Sequence, residues 1–168
     1  MQIRKTQKTD IDAVMAIYDK ARAFMREHGN TTQWPAGTPS RETIETDIAA
    51  GGSYVCEQDG RVVATFAFLP GPDSTYAHIE GEGWHGEGAY SVLHRVASDG
   101  SAHGVAAAMF AFAQERVRML RIDTHEDNIP MQGAIAKAGF RPCGIIHISD
   151  GSPRVAFDWV ASGDTVAR

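Results

Sequence analysis

The stretch from Tyr90 to Phe140 constrains the fold more than any other part of the chain. A short apolar run, Tyr90 to Ala97, feeds a loop of small residues, Ser98-Asp-Gly-Ser-Ala-His-Gly104. The loop opens onto an apolar helix pattern, Val105 to Val117, with a predicted buried stripe of Val105, Ala108, Met109, Phe112, Ala113 and Val117. A second strand-like run, Leu120 to Thr124, follows. Asp127-Asn128 then caps another helix, which has Pro130 in its first turn and ends at Gly139-Phe140. A glycine loop at the start of a helix leaves main-chain N–H groups unpaired, which suits an anion such as a pyrophosphate. The loop matches neither a P-loop nor a dinucleotide fingerprint. A plain strand-to-helix turn without a ligand would look the same.

The flanking segments supply the rest of a sheet. Ile3 opens a short strand, and Thr9-Asp10 caps a helix with Ile11, Val14, Met15, Ile17, Tyr18 and Ala21 at helical spacing. Residues 31–40 are loop by their prolines and glycine, and Ser40 caps a second helix. Ser53 to Cys56 and Arg61 to Phe68 read as a hairpin about Asp59-Gly60. Glu80 to Gly88 reads as an exposed, mobile segment. Arg141 to Ile148 and Arg154 to Val160 read as a closing pair of strands. This order predicts one domain over residues 1–160 of α/β (α+β) class, with a mixed, mostly antiparallel central sheet and helices on both faces. Residues 161–168 read as a frayed tail.

The chain has 168 residues and a net charge of -5, with no cluster of lysine or arginine, which weighs against nucleic acid as a partner. No run is apolar enough for a membrane span and no signal-peptide core opens the chain, so the expectation is a cytoplasmic protein without a membrane partner. The two cysteines, Cys56 and Cys143, are far apart and read as core thiols. His28, His78, His85 and His147 have no metal-ligand spacing, so no metal is expected. An edge strand at Arg154 to Trp159 would allow a homodimer.

The loop Ser101-Ala-His-Gly104-Val-Ala106 resembles the pyrophosphate loop of the GNAT superfamily of N-acetyltransferases, with Ser101 where the family carries arginine or glutamine. Asn128, Met131, Ala134-Ile135, Lys137 and Gly139-Phe140 resemble the family's closing helix segment. The opening Ile3 to Thr6, Asp10 to Val14 and the hairpin Tyr54 to Phe68 agree in order. The resemblance implies acetyl-CoA as acyl donor and a small-molecule amine as acceptor, joined by direct attack in a ternary complex. It places the donor on Val96, Ala97, Ser101, Ala102, His103, Gly104, Val105, Ala106 and Asn128. Ile135 stands where many members carry a tyrosine that protonates the leaving thiolate. Another acid, solvent, or a CoA-binding or sensor module without turnover would each accommodate that departure. A protein N-acetyltransferase is a further alternative.

Such a reaction needs a base for the amine. On the central strand, Tyr90, Val92, His94 and Val96 share one face. Imidazole titrates near neutrality when unperturbed, so His94 is a candidate base, and a half-buried structural histidine is the alternative. His125 is a second candidate base. Glu82 could relay a proton, and Glu80 could attract an ammonium. Tyr90 is a candidate acid. Phe24, Trp34 and Trp84 are candidate walls for the acceptor.

Overall fold

The computed structural model describes residues 1–162; residues 163–168, most of the segment expected to fray, lie outside the described residues. The elements follow the predicted order. They are β1 (Gln2–Lys5), α1 (Ile11–Glu27), α2 (Arg41–Ala49), β2 (Ser53–Gln58), β3 (Arg61–Pro70), β4 (Ser91–Ser98), α3 (Val105–Gln114), β5 (Met119–Thr124), α4 (Ile129–Lys137), β6 (Arg141–His147) and β7 (Pro153–Val160). The strands form one sheet in the order β1-β2-β3-β4-β5-β7-β6. Its pairs are antiparallel except β4–β5. Among the described residues no helix is long and apolar enough to cross a membrane.

Alternation along the strands sends side chains to two faces. On one face Leu93, Leu120, Ile122 and Phe157 meet Met109 and Phe110 of α3 and Ile135 of α4. Phe110 is fully buried although it lies off the predicted stripe. On the other face Val14, Ile17 and Tyr18 of α1 and Ile44 of α2 cover Val55 and Ala97. A third cluster, Tyr76, Val92, Ile146 and Ala156, lies beneath the segment that precedes β4.

Two irregularities in the sheet place the site. The β4–β5 pairing ends at Leu93 and Ile122, although β4 runs on to Ser98 and β5 to Thr124. The strands therefore part. At the same point β4 carries a bulge opposite β3, with Arg95 at φ 54°. The bulge corrects the expected alternation. Val96 packs with the α3–α4 core beside Leu93, while Ala97 packs against α1. His94 and Val96 therefore do not share a face. The bulge is held from outside the sheet: Tyr18 donates its hydroxyl to the Arg95 carbonyl at 3.0 Å, and the Arg95 guanidinium grips Asp47 at 2.7 and 2.8 Å.

Two expectations are overturned. Arg154 to Trp159 is not an edge, because β7 lies between β5 and β6. The glycine- and acid-rich segment 80–88 is anchored rather than mobile. Glu80 exchanges main-chain hydrogen bonds with Ile145 at 2.9 and 2.8 Å, and the His85 N–H donates to the buried Asp158 at 2.7 Å. Gly144 permits this docking. It sits at φ 142°, and a Cβ there would stand 1.9 Å from the Glu80 carbonyl oxygen. Gly144→Ala should therefore destabilise the fold by more than Gly83→Ala, where φ is 87° and a Cβ meets nothing within 4 Å. The control carries the left-handed strain of about 1 kcal/mol alone, and urea unfolding of both variants measures the difference.

Candidate active site

The parting strands open two cavities that share a wall. The first, about 340 Å³, is mostly apolar and runs between α1, the end of β4, α3 and α4. Ala21, Phe24, Val96, Ala97, Val105, Ala106, Met109, Met131 and Ala134 are among its lining residues. The second, about 390 Å³, lies on the other side of the opening beneath the 33–40 loop. Trp34, Asp73, His94, Asp123, Thr124 and Arg154 help to line it. Val96, Asn128 and Met131 line both.

The floor of the first cavity ends at the amino terminus of α3. Gly104 is the N-cap at φ 71°, a left-handed conformation that glycine adopts without strain, and no side chain caps the helix. The first intrahelical bond runs from the Ala108 N–H to the Gly104 carbonyl. The amides of Val105, Ala106 and Ala107 thus precede the hydrogen-bonded ladder, and the helix dipole adds partial positive charge there. The other capped helices differ: Ser40 and Asn128 accept N–H bonds from Thr43 and Met131 at the starts of α2 and α4. Ser101 turns away from this amide cluster. Its N–H and hydroxyl both donate to Asp99 Oδ1, at 2.9 and 2.5 Å. Burial works against the ionised Asp99 carboxyl, yet these bonds, with Lys20 and Arg61 nearby, hold it below its ordinary value.

The second cavity holds a polar chain. His94 Nε2 lies 2.7 Å from Asp73 Oδ2, and Asp73 Oδ1 accepts the N–H and hydroxyl of Thr75 at 2.9 and 2.7 Å. The hydrogen bond from His94 holds Asp73 well below the usual carboxylate range, against burial and with help from Thr75. With Asp73 ionised, the shared proton is assigned to His94 Nε2, which leaves Nδ1 with a free lone pair. That atom is 3.9 Å from Asp123 Oδ1. Asp123 Oδ1 also accepts the Tyr76 hydroxyl at 2.6 Å. Burial, then the Asp123 charge, push Tyr76 well above its ordinary value, so it stays a donor.

The expected site residues separate into groups. His94 and Trp34 line the second cavity, and Val96, Ala97, Val105, Ala106 and Asn128 line the first. Ser101, Ala102, His103 and Gly104 form the turn beside it. Phe24 lines the first cavity rather than the second and stacks on His28. Tyr90 lines neither; its hydroxyl accepts the Asp73 N–H at 3.0 Å, so it positions the carboxylate beside His94. His125 is spent on loop structure. Its Nδ1 accepts the Asp127 N–H at 3.1 Å, and Nε2 lies 3.1 Å from the Thr32 hydroxyl. Glu82 is exposed and lies near His85, not His94. Glu80 points its carboxylate toward His147, and Trp84 packs on Tyr76 and Arg121.

Sequence reasoning missed Asp73, Asp123, Gln33 and Arg154. The Gly71-Pro-Asp-Ser-Thr75 turn signalled a loop, but nothing in its spacing joins it to a strand residue 21 positions later. Gln33 accepts N–H bonds from Asn128 at 2.9 Å and Asn30 at 2.7 Å, which ties the covering loop to α4. Reading histidine spacing also missed a cluster outside both cavities. His85 Nδ1 is 2.8 Å from Asp158 Oδ1 and 3.4 Å from Cys143 Sγ, a grouping whose atoms could hold a metal ion. In this structure its hydrogen bonds anchor the 80–88 segment. Burial, then Asp158, push the Cys143 thiol up to about 12, which makes it a poor nucleophile.

Ile135 is fully enclosed between α3 and the sheet. Ile135→Tyr should overpack this core by about 1–3 kcal/mol, lower the melting temperature and give no gain in turnover. A faster enzyme would show that position 135 reaches the reacting sulfur. Asp73 gives a pH signature. Its depressed folded value means that its stabilisation is present above the ordinary carboxylate pKa of about 3.9 and is lost as pH falls through the folded value. The melting-temperature gap between the wild type and Asp73→Asn should therefore be constant at neutral pH and shrink in acid.

The family model described as the acetyltransferase (GNAT) family matches residues 14–140. Among solved structures, a GNAT-family acetyltransferase from Streptococcus agalactiae 2603 is 29% identical over 96% of each chain, with a TM-score of 0.87. A ribosomal-protein-alanine N-acetyltransferase from Brucella melitensis is similar in fold, at 21% identity and a TM-score of 0.63, covering 95% of this chain and 99% of that one. The GphF GNAT-like decarboxylase in complex with isobutyryl-CoA is also similar in fold, at 16% identity and a TM-score of 0.64, with coverage of 95% and 99%. No curated protein matches the sequence significantly. The seven-stranded, mostly antiparallel sheet, the parted β4 and β5, and the matched residues together show that this chain belongs to the GNAT acetyltransferase family.

Proposed function

We propose that the protein is an acetyl-CoA-dependent N-acetyltransferase that acts on a primary amine of a small molecule. The observation that carries this reading is the meeting of an apolar cavity and a polar one at Val96, Asn128 and Met131. The apolar cavity suits a pantetheine arm, and the uncapped start of α3 suits a pyrophosphate. The GphF relative in complex with isobutyryl-CoA supports an acyl-CoA donor on this fold. When bound, acetyl-CoA supplies an activated acetyl group.

The chain's own groups prepare the amine. Asp123 attracts the ammonium form, and His94 Nδ1, 3.9 Å from Asp123 Oδ1, takes its proton. Asp73 holds the imidazole in orientation and stabilises the charge it gains. The free amine then attacks the acetyl carbon directly: the C–N bond forms as the C–S bond breaks, and the second amine proton passes to water. No covalent enzyme intermediate is needed, and Cys143 lies outside both cavities. The Val96 N–H stands beyond the last β5 pairing and is our choice of donor to the thioester oxygen. Among the described residues no tyrosine, histidine or cysteine lines the first cavity. An ordinary thiol has a pKa of about 8.5, so the sulfur can depart as thiolate and take its proton from water. Gln33, Trp34, Thr38 and Pro39 roof the second cavity, which favours a small acceptor over a protein chain.

His94→Ala should lower kcat by about 100-fold or more, while the CoA dissociation constant, measured by calorimetry, stays within about twofold. Gly104→Glu should weaken CoA binding about 10-fold or more by setting a carboxylate against the amide cluster. Full turnover in His94→Ala removes the assigned base. CoA binding by the wild type without acetylation of any amine would leave a binding module in place of the enzyme.

A further inference from the structure

One cation in the acceptor cavity forms no ion pair with a carboxylate among the described residues. Arg154, near the start of β7, is 6% exposed and lines that cavity together with Asp73, His94 and Asp123. Its guanidinium donates to two main-chain carbonyls, Pro153 at 2.8 Å and Gln33 at 3.4 Å. Those bonds use part of a five-donor fork and leave the charge unbalanced. Asp150, which feels the charge, is on an exposed turn and is engaged by Ser152. No carboxylate among the described residues forms an ion pair with Arg154, in contrast to Arg4, Arg22, Arg41 and Arg61.

Half-buried Arg95 and buried Arg121 show how the fold treats such a charge elsewhere. Arg95 lines the same cavity and is neutralised by Asp47 through two hydrogen bonds. Arg121 is layered against the rings of Trp84 and Tyr90, 4.1 and 3.9 Å from their centroids. Arg154 has neither device. A buried guanidinium without an anion is costly, and its planar fork matches a carboxylate. The cavity therefore brings Asp123 and His94 together with a guanidinium that no carboxylate pairs.

We propose that Arg154 forms a carboxylate-binding subsite, so that the acceptor is an amine that also carries a carboxylate, of the amino acid class. This rests on the reading of the second cavity as the acceptor site. A cavity of about 390 Å³ has room for one such molecule. Arg154 fixes the carboxylate and thereby sets the amine against Asp123 and His94.

The test uses the full chain and matched acceptors: the standard amino acids and, for each, the amine left when its carboxylate is removed. Binding is measured by calorimetry with CoA present, and turnover by release of free thiol from acetyl-CoA. The expected result is that wild type favours amino acids by about 30-fold or more, in binding and in kcat/KM. Arg154→Gln should erase that preference, mainly by raising KM for the amino acids. Arg154→Lys should restore part of it. The wild-type comparison does not depend on any variant folding. Amines bound or acetylated as well as their parent amino acids would overturn the subsite and leave the acetyltransferase reading intact. Arg154-dependent binding of amino acids without acetylation would uphold the subsite and overturn that reading. Binding of neither class overturns the subsite.

Discussion

Two neighbouring strands that pair over three residues and then part leave main-chain groups without a ladder partner, inside a fold that tolerates few such groups. The rest of the structure answers that problem. The bulge at Arg95 bends β4 away from β5, and its exposed carbonyl is taken by Tyr18 of α1. A non-glycine residue at φ 54° costs about 1–3 kcal/mol and must be over-determined by its surroundings. The ion pair from Arg95 to Asp47 of α2 does part of that. Helices α1 and α2 therefore do more than cover a sheet face. They hold open the gap in which the two cavities meet.

The carboxylates near that gap are arranged by the same logic. Asp47 faces Arg95, Asp73 faces His94 and Thr75, and Asp123 receives Tyr76. Each acid keeps donors that do not come from a ligand, so the polar chain is in place in the structure without one. Preorganised groups of this kind need little rearrangement at the moment of reaction. Tyr90 contributes at one remove, by pinning the main chain of Asp73, and Asn128 joins α4 to the covering loop through Gln33.

The order of elements was readable because it rests on local signals. Caps at Ser40 and Asn128, the Asp59-Gly60 turn and the Val105 helix all depend on near neighbours in sequence. The candidate site was readable in part. Val96, Gly104 and His94 lie in one segment whose pattern exposes them. Asp73, Gln33 and Arg154 come from three distant loops or strand ends, and the topology that joins them is a long-range property. The bulge was invisible for another reason: one extra residue in β4 exchanges the faces beyond it, and Arg95 gives no glycine to mark the place. Segment 80–88 looked free by composition, yet Gly81 packs closely against β6 and Gly86 against β5 and β7.

Ile135 shows how one step of helical rotation changes the chemistry assigned to a position. Ala134 lines the first cavity, and the next residue, turned by about 100°, lies in the core between α3 and the sheet. The face of α4 toward the first cavity is Pro130, Met131 and Ala134, and none of these donates a proton from its side chain. The two ends of the reaction make unequal demands. An amine has an ordinary pKa of about 10 and must lose a proton before it attacks, whereas a thiol near 8.5 departs far more easily as its anion. In the proposed reaction the ionisable groups follow that difference, with His94, Asp73 and Asp123 on the acceptor side and the apolar α4 residues on the side of the sulfur.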